Sequence, residues 1–200
     1  AAVEVCKALD LEHHQHILTE DAFSSALPDL AWFGEDLDFT VLFFQPLFKH
    51  MSQSVTVGLC GQGSDELHGG YPRYQNLSNH RTLIRSRLEN CEHPFANKLL
   101  NSTIQQPGWT GASHQPAAVF SDLTSTLQYE LNHGQLTNFQ LRLVDRHSMA
   151  HGLEVRVPFL GTKHRNAAHR LPLDWRLSGS REKIALRAAA NLTSLPKSIV

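Results

Sequence analysis

A β-rich run that breaks directly into glycines constrains the fold of this chain more tightly than any other segment. Val55-Thr56-Val57-Gly58-Leu59 reads as a short buried strand, and Cys60-Gly61-Gln62-Gly63-Ser64-Asp65-Glu66-Leu67-His68-Gly69-Gly70-Tyr71 follows without a gap. Gly61 and Gly63 allow the backbone to turn tightly and to come close to a ligand. Ser64 is placed to open the next helix, whose N-terminus favours an anion. Asp65 and Glu66 then set carboxylates beside that position, which is repulsive unless a cation lies between. Mg2+ suits the role because it bridges carboxylate and phosphate oxygens. By itself the same string also fits an ordinary glycine turn ahead of an acidic first helical turn.

Around this segment, strands and helices alternate. Ala1 to Leu9 reads as a helix end with Val3, Cys6 and Leu9 on one side, and His14 to Leu18 as a short strand. Thr19 is a cap for a helix beginning Glu20-Asp21, whose acidic residues suit its dipole. Val41 to Met51 reads as an apolar helix that Pro46 should kink or divide. Asn101 to Pro116, rich in Gln, Ser, Thr, Gly and Pro, is the best candidate for a loop. Phe120 to Leu131 and Leu136 to Met149 read as helices, the second with a stripe of Leu136, Phe139, Leu143 and His147. Leu153, Val155 and Val157 alternate as in a strand, and Arg181 to Leu192 reads as a final helix. The pattern predicts an α/β layer architecture with a mostly helical second half.

Composition excludes several classes of function. The 200 residues are 41% hydrophobic, enough for one globular domain with a sizeable core, and the formal net charge is −1. A near-neutral chain offers no field to draw in nucleic acid or an anionic membrane, and no apolar run reaches the length of a membrane span. Cys6, Cys60 and Cys91 form no C-x-x-C pair and are odd in number, so reduced thiols in a cytoplasmic protein are expected. His14 and His16 would share a strand face and could hold a metal, but no third ligand lies nearby, and a solvated strand end is the simpler reading. The opening lacks a signal peptide and an initiator Met, and both ends are expected to be cuts in a longer chain.

The glycine segment resembles the signature of the asparagine synthetase family, usually Ser-Gly-Glu-Gly-(Ala/Ser)-Asp-Glu-(Leu/Val/Ile)-Phe-Gly-Gly-Tyr. A second block, Leu141 to Leu160, is similar to the family's Asp-Arg-x-Ser-Met-Ala-x-x-(Leu/Val)-Glu-x-Arg-Val-Pro-Phe-Leu segment. Taken alone, Arg142 with Asp145 and Glu154 with Arg156 would be surface ion pairs at helix and strand spacing. In this order after the first block they read as a wall of a substrate pocket. A third block, Arg181-Glu182-Lys183-Ile184-Ala185-Leu186-Arg187 with Leu195-Pro196, resembles the family's Lys-x-x-Leu-Arg helix and following Leu-Pro.

The resemblance implies an adenine-nucleotide α-hydrolase-like, or ATP-pyrophosphatase, domain with an incomplete parallel sheet. Residues 1–200 would be a partial synthetase domain without the N-terminal glutaminase and without the Ser-Gly-Gly-x-Asp-Ser loop that cradles ATP phosphates, a loop expected just upstream of Ala1. The implied activity is that of a carbon–nitrogen ligase with glutamine as amido donor. ATP and Mg2+ adenylate the aspartate side chain, ammonia from the glutaminase displaces AMP, and pyrophosphate leaves. By motif match Cys60, Gly61, Gly63 and Ser64 line the nucleotide, Asp65 meets Mg2+ and Lys183 meets pyrophosphate. Gln62, Asp145 and Arg146 fall at the reacting end. No nucleic acid or membrane partner is implied, and a homodimer is an open arrangement.

Four residues depart from the family pattern, the mildest being Cys60 in place of Ser, since backbone groups can make that contact. Gln62 replaces a Glu tied to formation of the adenylate, His68 replaces Phe, and Gly161 replaces the Asp after Pro-Phe-Leu. Gln keeps the shape and an acceptor but not the charge. The 200-residue chain alone is therefore expected to be inactive. The rival readings are a related carboxylate-adenylating ligase, such as a β-lactam synthetase or peptide cyclase, and a non-catalytic binding domain.

Overall fold

The structure, a computed structural model, describes residues 2–17, 19–35, 44–79, 82, 122–132 and 134–200. In chain order its elements are α1 (Ala2–Ala8), α2 (Glu20–Gly34), α3 (Phe44–Ser52), β1 (Val57–Leu59), α4 (Ser64–His68), α5 (Leu123–Asn132), α6 (Leu141–Met149), β2 (Glu154–Arg156), α7 (Thr162–His169), β3 (Leu177–Ser178), β4 (Arg181–Glu182) and α8 (Ile184–Ala190). Helix dominates, and β1 and β2 form a small parallel sheet in the register Val57↔Glu154, Gly58↔Val155, Leu59↔Arg156. β3 and β4 form an antiparallel hairpin, with Gly179 at φ 59° in its turn. Among the described residues no helix is long and apolar enough to cross a membrane.

The chain divides into two units. The first comprises Ala1–Gly61, Gln140–Pro158 and Arg187–Val200. In it α2, α3 and α6 pack together, and α6 also packs on β2. Leu30, Phe44, Phe48, Leu143, Val144 and Leu153 are buried there. Full burial of each such side chain favours folding by about 1.5–3 kcal/mol. Thr19 caps α2 as expected, its Oγ1 accepting from the Ala22 N–H at 3.2 Å. The Gly34 end of α2 lies against His147, where a Cβ would sit 2.9 Å from the imidazole.

The second unit comprises Gln62–Phe139 and Phe159–Leu186. Here α4 packs against both α5 and α7, around Leu67, Tyr74, Leu127, Leu136 and Ala168. Glu66, His68, Thr126, Glu130 and Arg176 are buried among them. Gly161 precedes α7 and supplies no side-chain cap. An Asp there would accept from the first-turn N–H groups, so Gly161→Asp is expected to raise stability by about 0.3 kcal/mol, and no more than about 1 kcal/mol. Chemical denaturation of the two proteins side by side checks it.

Several expectations need correction. His14 to Ile17 forms no strand; these residues are irregular and exposed, His14 pairing with Glu12 at 3.1 Å. β1 is shorter than Val55–Leu59 and is not buried throughout, Val57 being 39% and Leu59 73% exposed. Aliphatic β-formers suit either environment, and tertiary neighbours decide. Pro46 does not divide α3, which runs unbroken over the described residues Phe44–Ser52. Leu136 to Met149 opens with a π turn over Leu136–Gln140 before α6 begins. The final helix is confined to Ile184–Ala190, because Arg181 and Glu182 belong to the hairpin and Lys183 is left-handed at φ 53°. The expected loop over Asn101–Pro116 lies outside the described residues, as do residues 41–43 and 120–121 of two predicted helices.

Candidate functional site

After Leu59 the chain pairs once more, the Cys60 N–H donating to the Arg156 carbonyl at 2.9 Å, and then turns. The two glycines of the turn differ in their reasons. Gly63 has φ 88°, and a Cβ there would overlap the Leu160 side chain, so the fold itself requires glycine. Among the described residues nothing lies within 4 Å of a Cβ on Gly61. Its missing side chain leaves room beside the backbone rather than relieving a clash. Ser64 opens α4 as expected, but it is buried, Gly63 caps the helix without a side-chain bond, and α4 has only five residues. So short a helix has little dipole, and an anion here needs a side-chain cation.

Lys183 brings a side-chain cation to the first turn of α4. Its Nζ lies 2.9 Å from Asp65 Oδ1, with Lys183 23% and Asp65 29% exposed. The two come from distant parts of the chain, Asp65 from the first turn of α4 and Lys183 from the junction between β4 and α8. Lys183 therefore points at the motif carboxylate, although from a strained left-handed residue and not from the helix. Backbone bonds hold that strain: Lys183 N–H donates to His68 O and Ile184 N–H to Arg176 O, each at 3.3 Å. Gly70 roofs the pair, since a Cβ on it would overlap Asp65 Oδ1 and Lys183 Cε. The Gly69-Gly70 doublet of the motif thus has two causes, a left-handed end for α4 at Gly69 (φ 68°) and space over the ion pair at Gly70.

Beneath the pair lies a buried polar layer that motif reading missed. Glu66 is fully buried, and among the described residues neither carboxyl oxygen closes a hydrogen bond of good geometry. Burial pushes its carboxyl above the usual range, and Asp65 and Glu130 push the same way, against its own backbone N–H and Tyr71. Glu130 accepts from Arg73 Nη2 at 3.1 Å and from the Gln135 N–H at 3.1 Å. The Arg73 guanidinium lies 4.0 Å from the Tyr71 ring centroid. The signal for this layer is the tyrosines and arginine just after the glycine doublet, Tyr71, Arg73 and Tyr74.

The other expected residues fall as follows. Gln62 is half-buried in the turn, and Cys60 is a half-buried free thiol. In the first unit Asp145 is exposed on α6, whereas Arg146 is engaged, with Nη1 2.8 Å from the Gly34 carbonyl and Nη2 2.9 Å from Glu35 Oε2. Arg146 thereby closes the C-terminal end of α2. Glu154 and Arg156 form the surface pair that strand spacing allows, at 2.9 Å. The buried His147 accepts from Gln45 at 2.6 Å, and Gln45 in turn accepts from His151 at 2.7 Å.

The asparagine synthase family profile matches residues 1–200, the whole of the chain. The chain belongs to the asparagine synthase family. Among curated relatives it is similar to asparagine synthetase (glutamine-hydrolyzing) 1 of Bacillus subtilis, 24% identical over 236 residues that cover 94% of this chain and 37% of that protein. A Mycobacterium tuberculosis protein with the provisional name asparagine synthetase (glutamine-hydrolyzing) is 25% identical over 232 residues, 94% of this chain and 35% of that protein. A provisionally named asparagine synthetase (glutamine-hydrolyzing) of Schizosaccharomyces pombe is 26% identical over 200 residues, 96% of this chain and 28% of that protein. The chain thus spans about a third of the length of the curated relatives it matches. In asparagine synthase terms, Gly63, Asp65 and Lys183 come from two family blocks that this structure brings together within the second unit.

Proposed function

We propose that this domain activates the side-chain carboxylate of aspartate with ATP, the first half of glutamine-dependent asparagine synthesis, on an adenine-nucleotide α-hydrolase-like fold. The observation that carries the reading is the Asp65–Lys183 pair in the first turn of α4, two residues after Gly63. A carboxylate is a poor electrophile, and joining it to AMP supplies a leaving group that ammonia can displace. Lys183 holds the departing pyrophosphate by charge and hydrogen bonds. By motif match Cys60 and Gly61 meet the nucleotide through their backbone groups, for which the Cys60 side chain is immaterial.

Among the described residues no three His, Cys, Asp or Glu side chains gather as a metal cage. A metal on Asp65 would take one protein carboxylate and fill its other positions with water and phosphate oxygens, which is how Mg2+ is held. When bound, Mg2+ offsets the charge of the pyrophosphate. Asp65 would then hold the metal and Lys183 the phosphate, each in place of the other.

This exchange makes a specific expectation for Asp65→Asn. Magnesium-dependent pyrophosphate binding falls about tenfold or more, the worth of one charge-assisted contact. Metal-free pyrophosphate binding rises, because Lys183 loses its resident partner. Calorimetry with and without Mg2+ measures both. Unchanged affinity in both conditions removes Asp65 from the site.

A further inference from the structure

One close polar contact in the second unit has no place in the ligand chemistry above. His68, the last residue of α4, and His164, in the first turn of α7, bring their Nε2 atoms to 2.9 Å. The rings meet edge to face with centroids 5.1 Å apart, and Phe159 meets His164 edge to face at 5.2 Å. His68 is 3% exposed. Two bare lone pairs repel at this distance, and so do two N–H groups, so the contact requires one proton between the rings.

The environment of His68 decides which ring carries that proton. Among the described residues His68 Nδ1 is buried without a hydrogen-bond partner. A proton on Nδ1 would leave a buried donor unmet, the costly arrangement, whereas a bare Nδ1 buries only a lone pair. His68 is therefore the Nε2–H tautomer and donates to His164 Nε2.

We infer that His68 and His164 form a one-proton bridge that pins α4 to α7 and so holds Asp65 within reach of Lys183, making the pyrophosphate end of the site sensitive to acid. The ligand part of this inference rests on the function proposed above; the bridge rests on geometry alone. His68 is a positioning residue, three positions beyond Asp65 and bonded through its carbonyl to the Lys183 N–H. A second proton has no place, since it would set two N–H groups against each other or place one on the buried Nδ1.

The charges that face His68 act in the same direction. Burial, then His164 on α7, Arg176 just before β3 and Lys183 after β4 lower the His68 imidazole from 6.5 to about 4, with Asp65 on its own helix opposing. The folded protein then binds fewer protons than the unfolded chain between those values. Stability from His68 is complete above pH 6.5 and is lost as pH falls toward 4, on the order of a hundredfold in the folding equilibrium.

Nitrogen-15 histidine NMR on the protein, with His68→Phe and His164→Ala as comparisons, tests the bridge. Phe is the residue usual at this motif position, so its ring should keep the packing. The wild type is expected to show nitrogen–nitrogen coupling across the contact above pH 6.5. It should then lose on the order of a hundredfold more folding equilibrium than His68→Phe between pH 6.5 and 4. Magnesium pyrophosphate affinity should fall more steeply over the same window in the wild type than in His68→Phe, where protonation of the ligand itself sets the slope. Absence of the coupling, or acid profiles that superimpose, overturns the bridge. Coupling without magnesium pyrophosphate binding at any pH leaves the bridge standing and sinks its link to the site together with the proposed function.

Discussion

Replacing Lys183 by alanine or by glycine is expected to weaken magnesium pyrophosphate binding equally, by about 10- to 100-fold, the worth of a hydrogen bond to a charged group. Stability should separate the two variants, with glycine the more stable by about 1 kcal/mol. Both remove the ammonium that lies 2.9 Å from Asp65. They differ in what they place at φ 53°. Alanine keeps the Cβ that makes the left-handed region costly, and glycine does not, although its freer unfolded chain returns part of the gain. A strained lysine retained where glycine would fit suggests that the ammonium is wanted at that spot. Calorimetry and denaturant melts on the three proteins measure both effects. Wild-type affinity in the glycine variant would end the role of Lys183, and an alanine variant more stable than glycine would show that the left-handed backbone carries no strain.

What could be read beforehand follows the range of the interactions. The Thr19 cap, the start of α4 at Ser64 and the α6 stripe of Leu143 and His147 depend on neighbours within a turn, and they were legible. The failures lie where distant residues decide. Arg181 to Leu192 has good helical residues, yet β3 captures Arg181 and Glu182, so the helix cannot begin before Ile184. Val57 and Leu59 have the chemistry of a buried strand but stand exposed. In the site, motif order pointed to Asp65 and Lys183 separately, but only packing shows that Gly70 must be bare for them to meet. His68 drew notice as a departure from the family pattern. Its partner His164 carries no signal in its own neighbourhood, and neither did the burial of Glu66 among other acids.

The largest gain of activity is expected from Gln62→Glu. Gln62 is half-buried and adjoins Gly63, whose positive φ and contact with Leu160 fix the course of the turn. Glutamate has the same length and branching, so the turn should persist and the change is one of charge. In a synthetase domain that supplies the Ser-Gly-Gly-x-Asp-Ser loop ahead of this chain, the restored carboxylate should raise aspartate-dependent pyrophosphate release by about 10²–10⁴-fold, the usual worth of an acid–base group. Magnesium pyrophosphate affinity should change little, because Asp65 and Lys183 are untouched, and this serves as the control on folding. No gain with aspartate, together with turnover of a larger carboxylate by the Gln62 protein, would mean that Gln62 is fitted to another acid. The domain would then be a related carboxylate-adenylating ligase, using the same Asp65–Lys183 pair to hold the leaving pyrophosphate.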